Sequence, residues 1–125
     1  MAILEDQFGQ LKIAFPEAQI QPKLDGSAII RLPGIALPSG WNLAATDVVF
    51  VAPVGYPVAK PDTFWADERL RLAGGGMPLN TSLNANYGGP QQMLWFSFHP
   101  NVWNPQRDNL LTYAQLIRRR FADPK

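Results

Sequence analysis

The chain has 125 residues, 46% hydrophobic and 17% charged, which fits one folded domain and argues against intrinsic disorder. Eleven Lys and Arg against ten Asp and Glu leave a net charge of +1, too little to hold a phosphate backbone by counterion release, so nucleic acid is not an expected partner. There is no cysteine and only one histidine, His99, which excludes disulfides, thiolate metal sites, cysteine nucleophiles and the usual histidine zinc sets within one protomer; no metal or cofactor is expected.

In chain order, the opening MAILEDQFGQ lacks a basic stretch followed by a secretory apolar core, and no apolar run approaches the roughly 18 residues of a membrane span. A soluble, cytoplasmic protein with no membrane partner is expected. Leu4, Phe8, Leu11 and Phe15 recur at helical spacing and predict a short amphipathic helix that Pro16 discourages from continuing. Ala28 to Leu32 predicts a short strand after the Asp25-Gly26 turn signal, and Ala18 to Gln21 can pair with it as a hairpin. Leu32-Pro33-Gly34 and Leu37-Pro38-Ser39-Gly40 predict a loop before the strongest strand candidate, Asp47 to Ala52, whose apolar run suits a central strand.

Pro53 to Pro61 contains three prolines and cannot be an ordinary central strand; it predicts an ordered surface connection, with Tyr56 packing over the prolines and Phe64 and Trp65 nearby. Leu70-Arg71-Leu72 predicts a brief strand or extended edge. From Gly74-Gly75-Gly76 to Gly89-Pro90 the chain is rich in Gly and Asn and reads as its most mobile part. The triplet lacks both the dinucleotide fingerprint and a Walker ending, so a phosphate cradle is not expected. Met93 to Phe98 predicts an aromatic-rich strand leading into His99-Pro100-Asn101. After a polar turn, Leu110 to Phe121 is the clearest helix, with Tyr113, Leu116, Ile117 and Phe121 on an inward stripe and Arg118, Arg119 and Arg120 near its C-terminus. Without internal repeats or a domain-length linker, residues 1–125 read as a single α+β domain.

The order of Tyr56-Pro57 after a strand, Pro61 beyond it, a second strand running into His99-Pro100-Asn101, and then a loop and helix resembles the ubiquitin-conjugating enzyme (E2, or UBC) superfamily. Its divergent bacterial E2-like branch is matched further by Pro61-Asp62-x-Phe64-Trp65, Phe96-Ser97-x-His99, Trp103-x-Pro105, Asp108 and Leu111-Thr112-Tyr113. The resemblance runs from about Leu4 to Phe121, with Ala66 to Gln92 poorly constrained. It implies a compact UBC-like domain with an N-terminal helix, a small antiparallel sheet, a long irregular excursion and a C-terminal helix. It also implies a mainly structural His99, an Asn101 that positions an acceptor or steadies an oxyanion, and a nucleophilic cysteine about ten residues after the histidine. That position is Asn109. An amide offers no ionisable nucleophile, so conventional E2 thioester chemistry is not expected.

Each candidate also has a plainer reading. Asn101 can be a turn amide, Asp108 and Asn109 can cap the last helix rather than approach substrate, and Thr112 can be a first-turn residue rather than an ester-forming hydroxyl. Ser97, before the histidine, reads as a satisfied strand serine or a hydroxyl near the same pocket. Of five aromatic residues that can line a partner groove or pack in the core, Phe64 and Trp95 are assigned rather to the core, Tyr56, Trp65 and Trp103 stay candidates for the groove, and Arg118, Arg119 and Arg120 are candidates for docking or a solvated helix end. The expected function is an E2-like component of a bacterial ubiquitin-like conjugation pathway, binding an activating-enzyme-like protein, a ubiquitin-like modifier or another conjugation component. The alternative is a non-catalytic adaptor. A hydrolase built from His99, Asp108 and a Ser or Thr has the residue types but no recognisable nucleophile elbow.

Overall fold

The computed structural model describes residues 2–125. Helix α1 (Ala2–Ala14) is followed by strands β1 (Gln19–Pro22), β2 (Ala28–Ala36), β3 (Ala45–Ala52), β4 (Thr63–Ala66), β5 (Thr81–Asn84) and β6 (Met93–Ser97), and then by helix α2 (Leu110–Phe121). The strands form one sheet in the order β1-β2-β3-β4-β6-β5, with every neighbouring pair antiparallel. The architecture is α+β and UBC-like, as the sequence predicts.

Three local expectations are corrected. Leu32-Pro33-Gly34 does not end a strand, because β2 runs on to Ala36 through a bulge where the register shifts between Leu32 and Ile35. Pro33 has no N–H to give the ladder, and Gly34 takes a positive φ of 66° while donating its own N–H to Asp47 Oδ1 at 2.9 Å. The breakers are absorbed within the strand instead of stopping it. Leu70-Arg71-Leu72 forms no strand, and Leu72 contributes only an isolated bridge to Trp41. The Gly- and Asn-rich stretch is not all loop, because it holds the edge strand β5 and buries Tyr87.

Strand alternation divides the apolar residues between two faces. Ile30, Leu32, Val48, Phe50, Phe64, Leu94 and Phe96 face the helices and form the main core with Leu11, Tyr113, Ile117 and Phe121. Ile29, Val49, Trp65 and Met93 face the other way, where Tyr87 covers them. Tyr87 lies 5.6 Å from the Trp65 ring and its hydroxyl donates to Gln91 O at 2.9 Å. A Cβ at Gly89 would collide with the Tyr87 ring, so this turn requires glycine.

Helix α2 buries Leu110, Tyr113, Ala114, Ile117 and Phe121, the pattern of a single inward face. Phe121 meets Phe64, Phe96 and Trp41 edge-on at 5.5, 5.8 and 5.7 Å, and Trp41 Nε1 donates to the Phe121 carbonyl at 2.8 Å. Truncating such a buried aromatic to alanine typically costs about 3–5 kcal/mol. Tyr113 is fully buried against Phe50, with its hydroxyl donating to Phe98 O at 3.1 Å.

Burial, reinforced by the negative charge of Asp62, raises the Tyr113 hydroxyl well above the ordinary tyrosine range. The folded state therefore resists an ionisation that the unfolded chain undergoes near pH ~10, so stability is full below that value and falls as pH rises above it, by up to about 1.4 kcal/mol per pH unit. Urea titrations between pH 8 and 11 should show this alkaline loss. In Tyr113→Phe the loss should be shallower, after a cost of about 1 kcal/mol at neutral pH from the missing hydrogen bond.

Candidate functional site

Two segments meet beside the start of α2: the proline-rich connection from Pro53 to Asp62, and residues 98–109 between β6 and α2. The indole Nε1 of Trp103 donates to Pro57 O at 2.8 Å, and the Tyr56 ring packs against Trp103 with centroids 6.2 Å apart. Tyr56 precedes a cis peptide to Pro57, and its hydroxyl donates to the side-chain oxygen of Gln7. That same oxygen accepts the Leu110 N–H at 3.3 Å, so one α1 side chain touches both the proline segment and the first residue of α2. Burial and the nearby charge of Asp108 raise the Tyr56 hydroxyl above its ordinary range. It works as a hydrogen-bond donor here.

The polar turn is closed by its own side chains. Asp108 is buried and accepts the Asn104 N–H at 2.8 Å, while Asn104 Oδ1 accepts the Gln106 N–H at 2.9 Å. Asn109 has extended backbone and is the N-cap of α2: its Oδ1 accepts the Thr112 N–H at 2.9 Å, and Thr112 Oγ1 accepts the Asn109 N–H at 3.3 Å. This reciprocal capping box satisfies two backbone donors that a helix start otherwise leaves open. Asn101 is exposed in the preceding loop.

His99 is joined by neither Asp108 nor Thr112 in its hydrogen bonds. Its Nδ1 lies 2.5 Å from Asp62 Oδ1, and its Nε2 lies 3.4 Å from Ser97 Oγ. The histidine and Asp62 side chains are 56% and 58% exposed. Asp62 belongs to the Pro61-Asp62-x-Phe64-Trp65 pattern, but the sequence gives it no role beside His99 because the two are remote along the chain. Pairing Thr63 with Ser97 across β4 and β6 brings the flanking residues together. Recognising Thr63–Ala66 as a strand is the signal that would have found it.

The remaining candidates separate. Trp65 is buried beneath Tyr87 on the outer sheet face, whereas Tyr56 and Trp103 pack beside the helical-face core. Arg118 lies over Phe15 at 4.5 Å and Arg119 is exposed. Arg120 lies over Phe96 at 5.2 Å and donates to the carbonyls of Asp123 and Lys125 at 3.1 and 3.0 Å, tying down the C-terminal residues. Among the described residues, no three His, Asp or Glu side chains gather as metal ligands, and no helix is long and apolar enough to cross a membrane. An open polar cleft of about 350 Å³ lies away from this site, between Asp47, Asp67, Arg69 and Gln91; Arg69 hydrogen bonds hold the Asp67 carboxyl below its ordinary range.

Residues 17–123 match the model of prokaryotic E2 family E, and the chain belongs to that family. No curated protein and no solved structure matches it. With no cysteine anywhere in its sequence, it is a divergent E2-like protein without the nucleophile of thioester chemistry.

The capping geometry sets an expectation for Asn109. Asn109→Ala should lower stability by about 1 kcal/mol, whereas Asn109→Asp or Asn109→Ser should stay close to the parent, because both retain an oxygen that accepts the Thr112 N–H. Chemical denaturation of the three variants checks this ordering.

Proposed function

We propose that the chain serves as an E2-like component of a bacterial ubiquitin-like conjugation pathway, acting in the cytoplasm and binding an activating-enzyme-like protein and a ubiquitin-like modifier without a cysteine-bound intermediate. The observation that carries this reading is the Tyr56–Trp103 contact, which locks two loops together and leaves apolar side chains at their tips. Val58 and Val102, each next to one of the residues in the Trp103-to-Pro57 hydrogen bond, are 80% and 73% exposed, and Val54 is exposed as well. Rigid loops that present apolar side chains bind at low ordering cost.

On this reading Tyr56 and Trp103 support the docking surface and Val54, Val58 and Val102 touch the partner. Arg119 adds a positive charge available for steering, whereas Trp65 is covered by Tyr87 and contributes through packing. Asn101, exposed in the loop before α2, positions the acceptor on this reading. ATP is consumed by the activating partner, and no cofactor is assigned to this chain. A pure adaptor is the second reading, favoured by Asn109: its side-chain oxygen serves the helix cap at the position where an E2 carries its nucleophile.

Calorimetric titration with an activating-enzyme-like protein and a ubiquitin-like modifier from the same organism tests the proposal. Binding to at least one is expected, weakened about tenfold or more by Val58→Asp or Val102→Asp with little change in melting temperature. Absence of binding to both would overturn the pathway assignment. A stable complex that forms with no covalent adduct, seen by native mass spectrometry, would support the adaptor reading.

A further inference from the structure

We propose that Ser97, His99 and Asp62 form an acyl-accepting site, in which Ser97 Oγ takes the carbonyl group of a thioester presented by a partner protein. The inference rests on the pathway reading for the source of that thioester. Its chemistry rests on three side chains that the β4–β6 pairing brings together.

Asp62 Oδ1 stands 2.5 Å from His99 Nδ1, and His99 Nε2 stands 3.4 Å from Ser97 Oγ. With Nδ1–H donating to the carboxylate, the lone pair of the neutral ring is on Nε2, on the side of the serine hydroxyl. This is the arrangement of a nucleophile, a base and a group that fixes the base's tautomer. The hydroxyl-to-imidazole separation is long for a hydrogen bond, in the range that commonly tightens once a reactant is bound. Ser97 is anchored at the end of β6, where its N–H donates to Asn80 O at 2.9 Å. Because that N–H is occupied, the oxyanion must be met by other donors, and the intrinsic rate is correspondingly modest.

In the step itself, Ser97 Oγ bonds to the thioester carbonyl carbon as its proton passes to His99 Nε2. The carbon–sulfur bond then breaks, and the departing thiolate takes that proton to leave as a thiol, with an oxyester on Ser97. An amine can later attack the ester carbonyl, releasing the serine oxygen, which is protonated again. The overall exchange needs no oxidant, reductant or metal. His99 and Asp62 are open to solvent, so a docked partner is what would shield the ester from water.

Phenyl thioacetate tests the site without any pathway protein, so failure here is distinguishable from failure of the binding experiment. The intact protein should release thiophenol in a burst, with the acetyl group found on Ser97 by peptide mass spectrometry. Ser97→Ala should abolish both. Asp62→Asn should slow the burst at least about tenfold, and Asp62→Glu should restore part of it. Thiophenol release unchanged in Ser97→Ala, acetylation confined to lysines or His99, or a burst in Asp62→Asn equal to that of the parent would each overturn the proposal.

Discussion

Burial of Tyr113 fixes both ends of the loop that carries the candidate chemistry. Its ring packs against Phe50 of the central sheet, which settles how α2 lies on the strands, and its hydroxyl holds the Phe98 carbonyl where β6 gives way to that loop. The next two turns of α2 add Ile117 and Phe121 to the same face, with Phe121 wedged among three aromatic rings. The loop is therefore not an independent element. His99 follows directly from a residue tied to the helix, and Asn109 begins that helix. Dispersion and apolar burial over this face supply the force, and the directional hydrogen bonds choose the register.

Within that frame, a helix start and a nucleophile make different demands on one position. An N-cap side chain must point its acceptor back at the helix's open N–H groups, while a nucleophile must point outward at an incoming carbonyl carbon. Asn109 does the first, and Thr112 answers it from the helix's first turn. The hydroxyl of Thr112 is engaged in the same box, which weakens it as an ester-forming group. The Asn109 side chain is thereby committed to the helix cap. The His99 ring and the Asp62 carboxyl meet at the other end of the loop.

What could be read from the sequence follows how local each signal is. Helix α2 is visible because its apolar spacing and its asparagine cap lie within one short segment, and β3 because six apolar-rich residues run together. Strands β4 and β5 have four residues each, too few for a local pattern to mark them; β4 owes its existence to a partner far along the chain, and β5 to the neighbouring strand β6, reached across a Gly- and Asn-rich turn. Pro33-Gly34 reads as a break because the bulge that accommodates it depends on Asp47 from the neighbouring strand. The same limit applies to the site. His99 and Asn109 are legible through a family pattern, whereas the Asp62 contact depends on a strand pairing that the local sequence does not reveal. The three aromatic residues grouped as one groove also fall to two faces, since alternation along β4 sends Phe64 to the helices and Trp65 to the opposite side.

The covering of that opposite side narrows where a partner can bind. A sheet face carrying Ile29, Val49, Trp65 and Met93 would be a sizeable apolar patch if open, but the turn after β5 folds Tyr87 across it and secures the turn through Gln91. The sheet edges are also poor templates: β1 has four residues and ends at Pro22, and β5 is equally short. Strand addition and packing on the outer face are therefore both disfavoured. The loop tips around Tyr56 and Trp103 differ in kind, because their backbones are tethered while Val58 and Val102 stay in water. On the proposed function, a backbone already fixed at these tips lowers the ordering cost of a contact made there.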